Sequence, residues 1–526
     1  MGKLITAKEA VAMVQDHTTI STSGFNAFGC PEDLIMSLTD RFDQTGHPKD
    51  LRLVKCTSQG DGKGRGISHW ASREGLLSEL IMSHMGYDPG LRALVAENKV
   101  RCYMMPLGNL MLLFRAIAAG LPGAIAKTGL LTFADPRIEG GKSNRITREQ
   151  GPDIVSLMEI NGEECLFYPS FPIDICFIRA TYADEDGNLS MRNETMRVEQ
   201  FEVAAATRNS GGIVIAQVDK VVKRGAIPAQ EVDIHGFMVD YIIQGRPEYS
   251  LQSWETDLFR PELTGQVTVP VDDMAPMDLD VRKICCRRTA MELTPNSLIN
   301  LGIGMPGGIG AVAGEEDVAQ LFTLSIECGP LGGVPLGGVD FGAAINPEAM
   351  YRMADILVMY AGGSLDMGAL GFAEIDQYGN VNASSFNGRV VGPGGFIDIT
   401  QNVKKVCFMG TFLAGKQEIS LEGGRLHILK SGSQTKFKEK VGQITFSGEH
   451  AQRVGQEVLY ITERGVFHLE PEGLTLVEIA PGIDLQKDIL NHMEFSPRIS
   501  PSLKEMDSRI FRPEKMGLVK ELVQSR

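Results

Sequence analysis

Residues 319–341, AQLFTLSIECGPLGGVPLGGVDF, join an apolar run to a glycine-rich loop. The run 321–326 has the character of a short strand. It closes on a carboxylate, Glu327, followed by Cys328, Gly329, Pro330 and the glycine pairs Gly332–Gly333 and Gly337–Gly338. An acid that ends an apolar strand is costly to bury unless it is paired, protonated or used in chemistry. Flanking glycines let another backbone, or a ligand, approach closely. A strand end that runs into such a loop is also where open α/β sheets bind ligands. Two readings fit these residues: a hydrogen-bonded acid beside a tight turn, and a nucleophilic carboxylate.

Outward from this stretch, strand-like and helical segments alternate. Residues 19–23 read as a strand, then Pro31 opens a helix with Glu32 and Asp33 in its first turn. Strands are expected within 51–58, 173–178 and 212–218, and a helix over 199–208. The alternation predicts an α/β fold with mostly parallel sheets. A length of 526 residues predicts two or more domains, each with its own core. Pro261, Pro270 and Pro276 fall in a segment, 260–280, without helical or strand periodicity, which places the domain junction there. Beyond it, DVRKICCRRTAMELTPNSLINLGIGMP repeats the order of ITAKEAVAMVQDHTTISTSGFNAFGCP: helix, strand, glycine turn, proline. RATYADEDGNLSM (179–191) is likewise echoed by LGFAEIDQYGNVNA (370–383), with Gly187–Asn188 matching Gly379–Asn380. The expectation is two similar open α/β domains in tandem, 1–265 and 280–526.

Composition narrows the function. Basic residues number 51 against 66 acidic ones, a net charge of −15, and no long basic run exists, so nucleic acid is not an expected partner. An anionic ligand would need local positive help. Nine cysteines without a C-x-x-C pair fit reduced thiols in a cytoplasmic protein. Cys285–Cys286 read as unreactive helix residues. No signal peptide is evident, and the longest apolar stretch, 109–126, is interrupted by Arg115 and Pro122, so no membrane span is expected. MGKLIT fits the short myristoylation pattern of Gly2 with Thr6, but Lys3, Leu4 and Ile5 also suit an ordinary chain start, and lipidation is not expected. Scattered histidines predict no zinc site and no metal. The absence of a G-x-S-x-G elbow argues against a serine hydrolase. EGGKSN (139–144) lacks the glycine that a P-loop needs at position 136, where Pro136 stands. Gly60, Gly62, Gly64 and Gly66 alternate in a loop that suits either phosphate or ribose binding through its amides or a flexible connection. His69 reads as a structural or loop residue, and His235 as the start of a helix.

Several stretches together carry a resemblance. LGIGMP (301–306), SIECGPLGG (325–333), LGFAEIDQYGNVN (370–382) and VVGPGGFIDI (390–399) resemble the class I coenzyme A transferases. Their acetate/propionate branch, with both halves fused in one chain, is the most similar. SGFNAFGCPEDL, QGDGKGRG and FPIDICFIRATYADEDGNLSM agree in the first half, and VLYITERGVFHLEPEGLTLVEIAPGIDLQKDIL near the C-terminus. The resemblance runs in order along essentially the whole chain.

By that resemblance the family's catalytic glutamate falls on Glu327, in Glu-x-Gly-Pro-x-Gly-Gly. Cys328 stands where the family often has serine; it is expected to leave the chemistry unchanged and to expose the site to oxidation. Gly302, Ile303, Gly304, Met305 and Pro306 match a coenzyme A-binding turn. Gly392, Gly394 and Gly395 match a loop whose amides serve the coenzyme and the oxyanion. Asn380 matches an asparagine near the catalytic carbonyl. The implied activity moves coenzyme A, as a substrate that becomes covalently bound, between a short-chain acyl-CoA and a carboxylate such as acetate, with ping-pong kinetics through a glutamyl-CoA thioester. Expected catalytic groups are thus Glu327, Asn380 and Gly395, in a homodimer or homotetramer. The acyl pocket is expected near residues 25–28. A thioesterase on the same scaffold, and a non-catalytic acyl-CoA sensor, remain open alternatives.

Overall fold

The computed structural model describes residues 3–254, 259–271 and 276–524. Gly2, of the lipidation pattern, and part of the 260–280 junction lie outside them. Thr6, the other residue of that pattern, caps the helix Ala7–Val11: its hydroxyl accepts from the Glu9 amide, and the Glu9 carboxylate accepts from the Thr6 amide. Contacts divide the chain into two compact units that interleave in sequence. One holds Met1–Thr268, Glu327–Val358 and Asn387–Asp398; the other holds Val269–Ile326, Met359–Phe386 and Ile399–Arg526.

The first unit is built on one large sheet. Its strands lie in the order Lys3–Leu4, Tyr241–Gln244, Ile213–Val222, Ile175–Asp184, Thr19–Thr22, Leu51–Val54, Leu77–Met82, Arg101–Met104. Every neighbour in that order is parallel. Ile175–Asp184 is buried at every position except Tyr182, as expected of a parallel strand covered on both faces. After the edge strand Lys3–Leu4 the chain takes the middle of the sheet at Thr19–Thr22 and builds outward to one edge, then returns to Ile175–Asp184 and builds toward Lys3–Leu4 at the other. The order therefore reverses between these two strands, and the crevice such a reversal opens lies at their carboxyl ends. Ser23, Gly24 and Phe25 stand there. The helix Glu32–Thr45 follows, one residue later than expected because Pro31 serves as its cap, and it stops at Gly46 in the left-handed conformation. Trp70 is fully buried in the core with Ile20, Leu53, Leu80 and Phe177, and its indole N–H donates to the Ile35 carbonyl.

The second unit repeats the plan. Thr323–Ser325, Leu298–Leu301, Met367–Gly371, Lys405–Met409 and Glu457–Ile461 are parallel neighbours in that order. Antiparallel Gly465–Glu470 and Gly473–Ile479 extend the sheet, and Arg498–Glu505 closes it. Ile284, Ile299, Val312, Met367, Cys407 and Ile461 lie in its core. Here the reversal falls between Leu298–Leu301 and Met367–Gly371, and the chain leaves the first of these as Gly302–Pro306.

The strand expected over 321–326 is shorter: a 3-10 turn, Ala319–Leu321, precedes strand Thr323–Ser325. Pairing ends at Asn300 opposite Ser325, since the partner strand breaks into the Gly302 turn soon after.

The Gly-Asn echo is a shared piece of hydrogen bonding. In the first half, Asp184 accepts from the amides of Asp186 and Asn188, the Asn188 side chain donates to Asp184, and its oxygen accepts from Gly236 N. In the second half, Asp376 accepts from Tyr378 and Asn380, the Asn380 side chain donates to Asp376, and its oxygen accepts from Gly448 N. Each turn closes a short antiparallel hairpin. Identical wiring at matched positions is the structural trace of the repeat.

Candidate active site

Glu327 begins a segment that packs in the first unit, and the residue is only 8% exposed. The glycines after it are dictated by backbone crowding. Gly329 has φ +122°, and a Cβ there would stand 2.1 Å from the Tyr351 carbonyl oxygen. At Gly333 a Cβ would meet the Ile345 oxygen at 2.3 Å. Pro330–Leu331 and Val334–Pro335 pair antiparallel with Ala349–Met350 and Ala344–Ile345. The loop is thus a tight double ribbon that holds Glu327 at its root.

The loop 392–395 packs in the same unit and is fastened to the end of strand Leu77–Met82. Gly394 N donates to the Ser83 carbonyl at 3.1 Å, while the Gly394 carbonyl accepts from Ser83 Oγ and from Leu107 N. Gly392 has φ +86° and sits so close to Ser83 that a Cβ would lie 2.2 Å from its oxygen. Gly395 backs directly onto the candidate nucleophile: a Cβ there would meet Glu327 Cγ at 3.0 Å and Cδ at 3.4 Å. The structure therefore separates the glycines expected to act alike. The Gly394 amide is committed to Ser83, and Gly395 is the one lying along Glu327.

Asp398, which sequence reasoning did not single out, holds this loop from the other side. It is 1% exposed, and one of its oxygens accepts from Gly108 N at 3.0 Å at the start of helix Leu107–Ala118. Burial pushes its carboxyl up to about 7; the Gly108 and Leu107 amides oppose that rise and the nearby Glu327 charge adds to it.

The wall beside Glu327 is apolar. Phe25 and Phe341 have ring centroids 6.2 Å apart. A Cβ on Gly342 would meet Met196 Cε at 2.5 Å, Cys328 Sγ at 3.1 Å and Phe25 Cε1 at 3.1 Å. Of the stretch 25–28, Phe25 faces this wall, whereas Phe28 is buried to 1%. Cys328 is wholly buried, and burial, with the Glu327 charge, pushes its thiol far up. The expected oxidation sensitivity is therefore corrected: the reactive form is a thiolate, and this environment opposes it. All nine cysteines are buried and free.

The structure bears on three further expectations. Asn380, expected beside the catalytic carbonyl, lies in the second unit with its amide engaged on Asp376 and Gly448. Asn188 has the same engagement, so the residue does turn work in both halves. The loop of alternating glycines is neither a phosphate cradle nor a flexible connection. Asp61 accepts from the amides of Lys63, Gly64 and Arg65, and Gly62 N donates to Tyr87, so these donors already have acceptors. His235 is the cap of the short helix Gly236–Met238, as expected of a helix start.

Gly302–Pro306 lies in the second unit, at its sheet's reversal point. Gly302 N donates to the Ala369 carbonyl, Gly304 has φ +82°, and Ile303 is 46% exposed. Arg282, exposed, donates to the Gly304 carbonyl at 3.0 Å. That guanidinium supplies positive charge beside an exposed turn in an acidic chain. Among the described residues, no group of three or more His, Cys, Asp or Glu is placed to hold a metal ion. None of the helices they form is long and apolar enough to cross a membrane.

Sequence and structure comparisons bear on these sites. The coenzyme A transferase family model matches residues 4–245. The caffeate CoA-transferase of Acetobacterium woodii is 41% identical over 523 residues, spanning 98% of this chain and 99% of its own. Acetate CoA-transferase YdiF of Escherichia coli (strain K12) is 40% identical over 518 residues, 98% of this chain and 96% of its own. The crystal structure of the acyl-CoA transferase YdiF from Escherichia coli O157:H7, a thioester complex with CoA, matches with a TM-score of 0.91 at 38% identity, over 98% of this chain and 97% of that one.

Proposed function

This chain belongs to the coenzyme A transferases, and on that premise we propose that Glu327 carries coenzyme A between a short-chain acyl-CoA and a free carboxylate such as acetate. The observation that carries the proposal is the placement of Gly395 along the Glu327 side chain, inside a loop fastened at Ser83 and Leu107.

The Glu327 carboxylate attacks the acyl-CoA carbonyl. The tetrahedral oxyanion collapses to an acyl-glutamyl anhydride and expels CoA thiolate. The thiolate then attacks the glutamyl carbonyl, giving a glutamyl-CoA thioester and releasing the first acid. The acceptor carboxylate runs the same steps in reverse, so the thioester's transfer potential is conserved and the kinetics are ping-pong. In this proposal the Gly395 amide donates to the oxyanion, a role worth roughly 3–4 kcal/mol of barrier. Gly392 and Gly394 shape the loop, and Asn380 has no part. Gly302–Pro306, with Arg282, binds coenzyme A. The uncharged wall of Phe25, Met196, Cys328 and Phe341 suits a small acyl group and keeps water from the anhydride. Residues 1–265 and 280–526 are the duplicated halves in this reading, of a homodimer or homotetramer in the cytoplasm, where buried thiols stay reduced.

The test is exchange of labelled acetate with acetyl-CoA, joined to mass spectrometry of the peptide holding Glu327. Wild type should exchange and gain the mass of coenzyme A on that peptide, and Glu327→Ala should do neither. Exchange that survives in Glu327→Ala refutes the proposal. Acetyl-CoA consumption that needs no acceptor acid would instead mark a thioesterase, and an unmodified peptide with no turnover a sensor.

A further inference from the structure

The strand Leu77–Met82 ends in Ser83, His84, Met85 and Gly86, and His84 has no part in the mechanism above. Its Nδ1 lies 3.2 Å from Ser58 Oγ and accepts from Gly86 N at 3.3 Å. A backbone N–H can only donate, so Nδ1 is an acceptor and the neutral ring carries its proton on Nε2. Ser58 is itself fixed, since its hydroxyl oxygen accepts from Tyr87 N at 3.1 Å. The Cβ–Cγ–Cδ2 side of the residue runs along the loop that backs Glu327, while Nε2 and Cε1 lie over Gly86, where a Cβ would stand 2.7 Å from Nε2. A Cβ on Gly394 would lie 3.7 Å from His84 Cδ2, and on the next residue, Gly395, a Cβ would lie 3.0 Å from Glu327 Cγ. Consecutive residues of one loop are thus lined by the imidazole and by the carboxylate.

The surroundings keep the ring uncharged. Burial, then the positive charges of Lys55 and Arg92, push His84 down to about 4. Of the groups facing it, Tyr87 has its ring centroid 6.4 Å away and brings no negative charge at neutral pH. An imidazolium here would form an ion pair with any carboxylate that reached it. A neutral N–H polarises an oxygen without such a pair, the use that some isomerases make of a histidine whose pKa is held low.

We propose that His84 is the side-chain hydrogen-bond donor of this site, presenting a neutral Nε2–H to an oxygen of the reacting thioester or carboxylate. The inference rests on the transferase reading and adds a second donor to the Gly395 amide. His84→Ala should lower kcat/KM for acetyl-CoA and acetate on the order of 100-fold. His84→Gln, whose side-chain amide reaches a similar position, should recover most of the loss. The yield of CoA adduct on Glu327 should fall with the rate in the alanine variant. In wild type, nitrogen-15 NMR of the ring should report the neutral Nε2–H tautomer from pH 6 to pH 9, a readout that needs no variant to fold. Wild-type kcat/KM in His84→Ala, a glutamine variant as poor as alanine, or a ring protonated at pH 7 would each overturn the inference. The transferase reading fails separately, if wild type itself neither exchanges label nor forms the adduct.

Discussion

Adding one methyl group at Gly395 should slow this protein without unfolding it. Gly395 is not among the residues with positive φ, so alanine meets no conformational strain there. Its Cβ would stand 3.0 Å from Glu327 Cγ, 3.3 Å from Cβ and 3.4 Å from Cδ, closer than ordinary carbon contacts of about 3.5–4.0 Å. The neighbour that must yield is Glu327, the proposed nucleophile, by a few tenths of an ångström. If misplacement by about 1 Å loses about 100-fold, a shift of this size should reduce kcat roughly 5–30-fold, or about 1–2 kcal/mol of barrier. Gly392→Ala supplies the contrast. There the backbone is left-handed at φ +86°, and the obstacle is the Ser83 carbonyl at 2.2 Å, so the loop itself must move and stability falls. The assay is label exchange at saturating acetyl-CoA, with a thermal melt on each variant. A Gly395→Ala protein with wild-type kcat would refute the placement of Glu327 against this glycine. Equal melting losses in both variants would refute the distinction between them.

Three other outcomes are expected. Asp398, with an ordinary value of 3.8 and a folded value of about 7, holds its proton in the native state after the unfolded chain has lost it. Its contribution is therefore complete below pH 4, declines as pH rises through 7, and levels off above. Asp398→Asn, which keeps an acceptor for Gly108 N, should flatten that decline by up to about 4 kcal/mol in urea titrations at pH 4 to 8; an unchanged slope counts against it. Cys328→Ser should leave kcat within about threefold and the rate of peroxide inactivation unaltered, because burial suppresses the thiolate; a variant markedly more resistant than wild type would restore the oxidation hazard. Asn380→Ala and Asn188→Ala should each cost about 1–3 kcal/mol of stability, with kcat per folded molecule little changed, and a large loss of kcat at intact stability in Asn380→Ala alone would return that residue to catalysis.

Glu327 drew attention because an acid closing an apolar strand, inside a frame of glycines, is costly to bury unless paired, protonated or used, and the residues alone left a hydrogen-bonded acid and a nucleophile both open. The α/β class and the duplication were legible from alternation and from two matched Gly-Asn turns, since local turn chemistry leaves its mark on local sequence. What each glycine does was not. Gly394 and Gly395 are chemically identical, and only the folded loop decides which amide meets the Ser83 carbonyl. Part of what engages the Asn380 side chain was hidden for a related reason: its oxygen accepts from Gly448, 68 residues onward. His84 left no pattern, because a single histidine gains meaning only from the amide that fixes its tautomer. The strand boundary at Ser325 depended on where a partner strand 25 residues earlier gives out.

The interleaving of the two units bears on how the protein is made. A ribosome that has released residues through Thr268 has delivered the first unit's large sheet but not Glu327–Val358 or Asn387–Asp398. At typical elongation rates the missing pieces follow on the order of ten seconds later. The nascent protein thus passes through a stage in which Phe25 and Met196 are in place while Glu327, Cys328, Phe341 and the loop 392–395 are not.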